Sequence, residues 1–135
     1  MNAQTRLETI KQSVEQNELN WPTADVSLDQ DNDSLVFTLK DYGDLPVTLT
    51  HSDEEWLVMT EVAPTSAVED INTFNDALLR LGMALPLVSV GIHTLGDEDY
   101  YVVYGQLFAD CKLEAISAEV EACAQAALEI AELIN

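Results

Sequence analysis

The residues best equipped for chemistry are few, and their spacing is uninformative. His93 could act as a general base, but a base needs a nucleophile or acid aimed at it. No glycine-flanked serine and no paired Cys-His signature accompanies it. It alternates with Gly91 and Leu95 in a strand-like run, so it is expected to be half-buried and structural. Cys111 follows Asp110, an expected helix N-cap, where a thiolate would be stabilised. Core packing is the favoured role for this thiol. Asp29-Gln30-Asp31-Asn32-Asp33 opens like a calcium loop, with oxygens at alternate positions. Such a loop needs Gly at its sixth position and Glu at its twelfth. Ser34 and Lys40 stand there instead, so a solvated turn is expected. His51-Ser52-Asp53-Glu54-Glu55 and Asp97-Glu98-Asp99 are read the same way. Glycines at positions 43, 82, 91, 96 and 105 make no phosphate-binding spacing. The residues point to no catalytic, cofactor or metal site, and a non-enzymatic role is expected. A small-molecule enzyme or sensor built on His93, Cys111 or a carboxylate cluster is kept as an alternative.

Elements that position these residues must come from a short and very acidic chain. It has 135 residues, with 25 Asp and Glu against 5 Lys and Arg, for a formal charge of −20. Hydrophobic residues still make up 47% of it, which is too many for a disordered chain. A single domain over 1–135 is expected. Nucleic acids are bound by neutralising phosphates, and Arg6, Lys11, Lys40, Arg80 and Lys112 are too scattered for that. The charge also allows an acidic regulator that mimics nucleic acid, a second alternative. Cys111 and Cys123 lie twelve apart in a helical pattern, about 18 Å, and cannot bridge each other. Met1-Asn2-Ala3-Gln4-Thr5 is not a secretory leader, and no apolar run is long enough for a membrane span. A cytoplasmic protein without membrane insertion is the expectation.

Periodicity supplies the elements. Leu7, Ile10 and Val14 recur at helical spacing, with Thr5-Arg6-Leu7-Glu8 read as a capping box. The period then falls to two over Val26–Leu28, Leu35–Leu39, Val47–Leu49 and Glu55–Val62, with turns between. This is a meander of three or four antiparallel strands. Ser66-Ala67-Val68-Glu69 is read as the capping box of a second helix through Ile71, Phe74, Leu78, Leu81 and Leu85. Residues 87–95 and 99–108 form a hairpin. Leu113, Ile116, Val120, Cys123, Ala127, Ile130 and Ile134 mark a last helix packed on the domain's own sheet. The expected fold class is α+β, with an antiparallel sheet and the order α-β-β-β-α-β-β-α.

Two strands are apolar on both parities. Tyr100, Val102, Tyr104 and Phe108 oppose Tyr101, Val103 and Leu107, while Trp56, Val58 and Val62 oppose Leu57 and Met59. A strand buried on one face alternates more cleanly. Helices cover both faces, or one face meets a partner. Ser89, His93, Tyr100, Tyr104 and Gln106 form the more polar parity and are the candidate protein-binding residues. The expected partner is another protein or, as a homodimer, a second copy of the chain.

The element order resembles the type III secretion chaperone-like fold. Leu35-Val36-Phe37-Thr38-Leu39-Lys40-Asp41, the turn at Gly43 and Trp56-Leu57-Val58-Met59 resemble that family's first strands. More closely, the run from Ala84-Leu85-Pro86-Leu87-Val88 through Tyr100-Tyr101-Val102-Val103-Tyr104-Gly105 is similar to the YjfI-like bacterial family of unknown function. The resemblance implies a chaperone-like module that holds extended protein segments, commonly as a dimer, with no catalytic residue to carry over.

Overall fold

The computed structural model describes residues 3–52 and 54–134, with side chains from Arg6 onward. Asp53, in the expected acidic turn, lies outside the described residues. The chain forms α1 (Ala3–Glu15), β1 (Ala24–Asp29), β2 (Ser34–Leu39), β3 (Leu45–His51) and β4 (Glu55–Pro64). Then follow α2 (Ile71–Gly82), β5 (Ser89–Leu95), β6 (Glu98–Phe108) and α3 (Leu113–Ile134). The class is α+β, and the meander has four strands, one more than the three written in the expected order. All pairings are antiparallel, in the spatial order β1-β2-β3-β4-β6-β5. β6 therefore sits between β4 and β5, and the hairpin joins the meander in one continuous sheet.

The turns follow local chemistry. Between β1 and β2, Gln30–Asn32 forms one 3-10 turn and Asp33 turns the chain at φ 48°. Asn32 Nδ2 donates to Asp29 Oδ2 at 2.8 Å, so this acidic run is a closed turn of the kind Asp and Asn favour. Between β2 and β3, Gly43 takes φ 70°, where a side chain would be strained.

Three expected caps are corrected. α1 already runs from Ala3, ahead of Thr5, so Thr5 is not its cap. Ser66 lies in a 3-10 turn and donates to Glu98 Oε1 at 3.2 Å. The cap of α2 is Asp70, whose carboxylate accepts from the Thr73 backbone N–H at 3.1 Å and from the Thr73 hydroxyl at 2.8 Å. α3 begins at Leu113, which puts Lys112 and not Asp110 at the cap position.

All three helices lie on the same side of the sheet. Leu7 and Ile10 of α1, Phe74 and Leu78 of α2, and Ile116, Val120, Cys123, Ala127 and Ile130 of α3 join one buried cluster. The strands contribute Leu35, Phe37, Leu39, Val47, Leu49, Trp56, Val58, Tyr101 and Val103, which is one parity throughout. The α1–β1 connection is pinned by Trp21, whose Nε1 donates to the Ser13 hydroxyl at 2.9 Å and whose ring stacks on Phe37 at 5.9 Å. Arg6 lies 5.3 Å over the Trp56 ring and donates to the Ala109 carbonyl, which Trp56 Nε1 also approaches at 3.2 Å. The two sheet edges differ. β1 carries Asp25 and Asp29, whereas β5 carries no formal charge.

Candidate protein-binding face

With every helix on one side, the other side of the sheet is uncovered. The pairing register fixes what it displays, because directly opposed residues share a face. Tyr104 opposes Ser89 and Met59, Val102 opposes Gly91 and Glu61, and Tyr100 opposes His93. Gln106 opposes Leu57, and Phe108 opposes Glu55. On β2 and β3, Val36 opposes Thr48 and Thr38 opposes Pro46. Ser89, His93, Tyr100, Tyr104 and Gln106 are thus all on the uncovered face. The half-buried state expected for His93 is corrected: it is exposed there, because no helix covers this side.

The face has its own small apolar cluster. Val102 is 3% exposed yet stands apart from the core, shielded by neighbours on the same side. Its γ-methyl and the Tyr104 ring both reach the space above Gly91, where a Cβ would meet Tyr104 Cε1 at 3.4 Å and Val102 Cγ2 at 3.8 Å. Leu57, Met59 and Tyr100 are half-buried beside this cluster, Val36 is half-buried farther along the same face on β2, and Phe108 is 82% exposed at one end. Val36, Leu57, Met59 and Phe108 lie on this face beyond the five candidate residues. Their signal was the second apolar parity of each strand.

The charges of the face are one-signed. Among the described strand residues pointing this way, Asp25, Asp29, Glu55, Glu61 and Glu98 carry all the formal charge. Gln106 Nε2 donates to Glu55 Oε1 at 3.2 Å. The nearest cation, Lys40, is held by Asp25 at 2.8 Å and Asp44 at 3.3 Å, and these carboxylates raise its pKa.

The other candidate groups do not assemble. Cys111 lines an open groove of about 420 Å³ with Glu54, Glu55, Gln106, Leu107 and Phe108. Burial pushes this thiol up and Asp110 adds to that, against the opposing pull of Arg6, so the site does not favour a thiolate. His93 pairs with Tyr100, at the other end of β6 from Phe108, about 26 Å away along the strand. Base and thiol therefore cannot act on one small molecule. Among the described residues, no group of three or more His, Cys, Asp or Glu could hold a metal ion, and no helix is long and apolar enough to cross a membrane.

Comparison with known proteins fits this geometry. The uncharacterised proteins YjfI of Escherichia coli K12 and O157:H7 are each 31% identical over 112 residues, covering 83% of this chain and 84% of theirs. In architecture the chain is similar to solved structures of the ExsC–ExsE complex (TM-score 0.68, 16% identity, 98% of this chain and 95% of that one). It is also similar to the HopA1–SchA chaperone–effector complex (TM-score 0.66, 10% identity, 98% of each). YbjN of E. coli shares the fold at TM-score 0.63 and 15% identity, over 91% of this chain and 89% of its own. The fold is type III secretion chaperone-like. The family profile described as uncharacterised protein conserved in bacteria (DUF2170) matches residues 4–135, and the chain belongs to that family, with YjfI as a relative.

Proposed function

We propose that this chain is a non-enzymatic, chaperone-like protein-binding module of the bacterial cytoplasm, and that the uncovered sheet face is where it holds its partner. One observation carries this reading. A sheet face with an apolar centre at Leu57, Met59, Tyr100 and Tyr104, beside the already buried Val102, has no layer among the described residues to bury it. Ser89, His93 and Gln106 surround that centre with hydrogen-bonding groups, as the polar surroundings of a binding surface do. The fold shared with a chaperone–effector complex supports the same reading.

Site-specific photocrosslinking in a bacterial host tests it. A crosslinker in place of Tyr104 should trap a discrete protein adduct, and one in place of the exposed Glu129, on the helical side, should not. Equal trapping at both positions, or none at Tyr104, would remove the uncovered face from the function.

A further inference from the structure

We propose that the occupant of this face is an amphipathic helix of about three to four turns whose apolar stripe is bracketed by Lys or Arg. The inference rests on the protein-binding reading and adds the chemistry of the partner. Glu55 and Glu61 both point outward from β4, with Leu57 and Met59 between them on the same side. Six residues of strand separate the two carboxylates by about 20 Å. The strip between them is apolar and is widened by half-buried Tyr104 on β6.

Charge selects the sign of the partner. No described strand residue on this face carries a positive charge, and Lys40 at its margin is already bound by two carboxylates. An acidic segment would meet repulsion at both ends of the strip. A basic one would find two half-exposed carboxylates, of which Glu55 accepts from Gln106 Nε2 at 3.2 Å. Complementary charge of this kind steers encounter and penalises wrong partners.

Backbone satisfaction selects the conformation. An extended segment laid across Leu57 and Met59 would hold its own N–H and C=O groups over apolar side chains. A helix satisfies those groups internally and buries one stripe, as α1 and α3 do on the opposite side. Spanning about 20 Å takes about 13 helical residues. An extended partner would pair instead with the uncharged free edge of β5.

The test uses the whole protein and a synthetic 18-residue helix with a leucine stripe and two arginines at each end. Two controls are a scrambled peptide of equal charge and a peptide with glutamates for the arginines. Fluorescence anisotropy should show binding of the designed helix alone. The double variant Glu55→Gln/Glu61→Gln should weaken it about fivefold, and added salt should weaken it for the wild type more than for the variant. Hydrogen exchange should show protection over residues 55–61 and 100–106. Equal binding of the scrambled peptide would reduce the effect to net charge and overturn the proposal. So would equal binding of the acidic peptide, or protection over 89–95, which marks strand addition. Doubling of the mass with concentration, with the same face protected in the absence of peptide, would assign the face to a second copy. If no peptide binds while the Tyr104 crosslink still traps a protein, the partner chemistry fails and the binding face stands. If the crosslink also fails, both fall.

Discussion

The carboxyl group of Glu119, on α3, occupies the space that a side chain at Gly105, on β6, would need. A Cβ built on Gly105 would overlap Oε1 and Cδ of Glu119. Glu119 is only 3% exposed, and among the described residues its Oε1 has no hydrogen-bond partner. Glycine at 105 thus makes a notch in the sheet that admits a buried acid. Gly105→Ala should destabilise the fold by about 1–3 kcal/mol, the usual cost of overpacking. Glu119→Ala in the same chain should recover most of that loss, because the two positions share one space. Urea midpoints of the two single variants and the double variant measure it. Simple additivity would break the link between them.

The same carboxyl makes stability depend on pH. Burial raises the pKa of Glu119 in the folded state. Its contribution is therefore fully present below the unfolded pKa and is lost as pH rises through the folded value. Glu119→Gln should remove that decline, and its urea midpoint should exceed the wild type's most at neutral and alkaline pH. A constant difference between the two proteins across pH would contradict the assignment.

Asp70 should act with the opposite sign. The Thr73 hydroxyl and backbone N–H hold its carboxylate below the usual range. Its contribution is present above the unfolded pKa and is lost as pH falls through the depressed folded value. Asp70→Ala should speed hydrogen exchange in the first turn of α2, most visibly at Thr73, and leave α3 unchanged. Acidification of the wild type should reproduce that local loosening.

The two cysteines should separate cleanly in alkylation. Burial, with the nearby Glu119 charge, pushes the Cys123 thiol up to about 12, and the thiol donates to the Val58 carbonyl at 3.9 Å. Iodoacetamide at pH about 8 should modify half-buried Cys111 slowly and Cys123 only after unfolding. Mass spectrometry of the native protein showing Cys123 modified first would refute the packing.

Arg6 should anchor α1. Its guanidinium donates to the Ala109 carbonyl and faces the Trp56 ring, joining the first helix to the end of β6. Arg6→Ala should cost about 1–2 kcal/mol, and Arg6→Lys should recover part of it. Thermal unfolding of the two variants distinguishes a lost anchor from a neutral surface change.

Helices and strands were legible because period and burial agree. Leu7 and Ile10 of α1 and the Ile116-to-Ile130 seam of α3 are buried where their spacing says. Caps are harder, and the start of α2 shows why. A 3-10 turn takes up Ser66, and Asp70 lies directly before the first helical residue. The exposure of His93 is hidden in the sequence for a different reason. Alternation tells which residues share a face, but it does not tell how many faces the helices cover. Glu119 flanks the apolar seam of α3, and spacing alone does not show that it is buried. Its burial depends on Gly105, fourteen residues earlier, which meets it where α3 packs on β6.

The order of strands also sets an order in time. β1 to β4 pair with their sequence neighbours and can close as soon as they are synthesised, because local contacts form fast. β6 must then insert beside β4 after α2 and β5 have been made. Among the first four strands alone, β4 is an edge, and β6 closes it. Glu55 and Glu61 lie on that strand, and charge on an edge discourages pairing with foreign strands. The two carboxylates that flank the apolar strip thus also mark the strand whose edge depends on the distant β6.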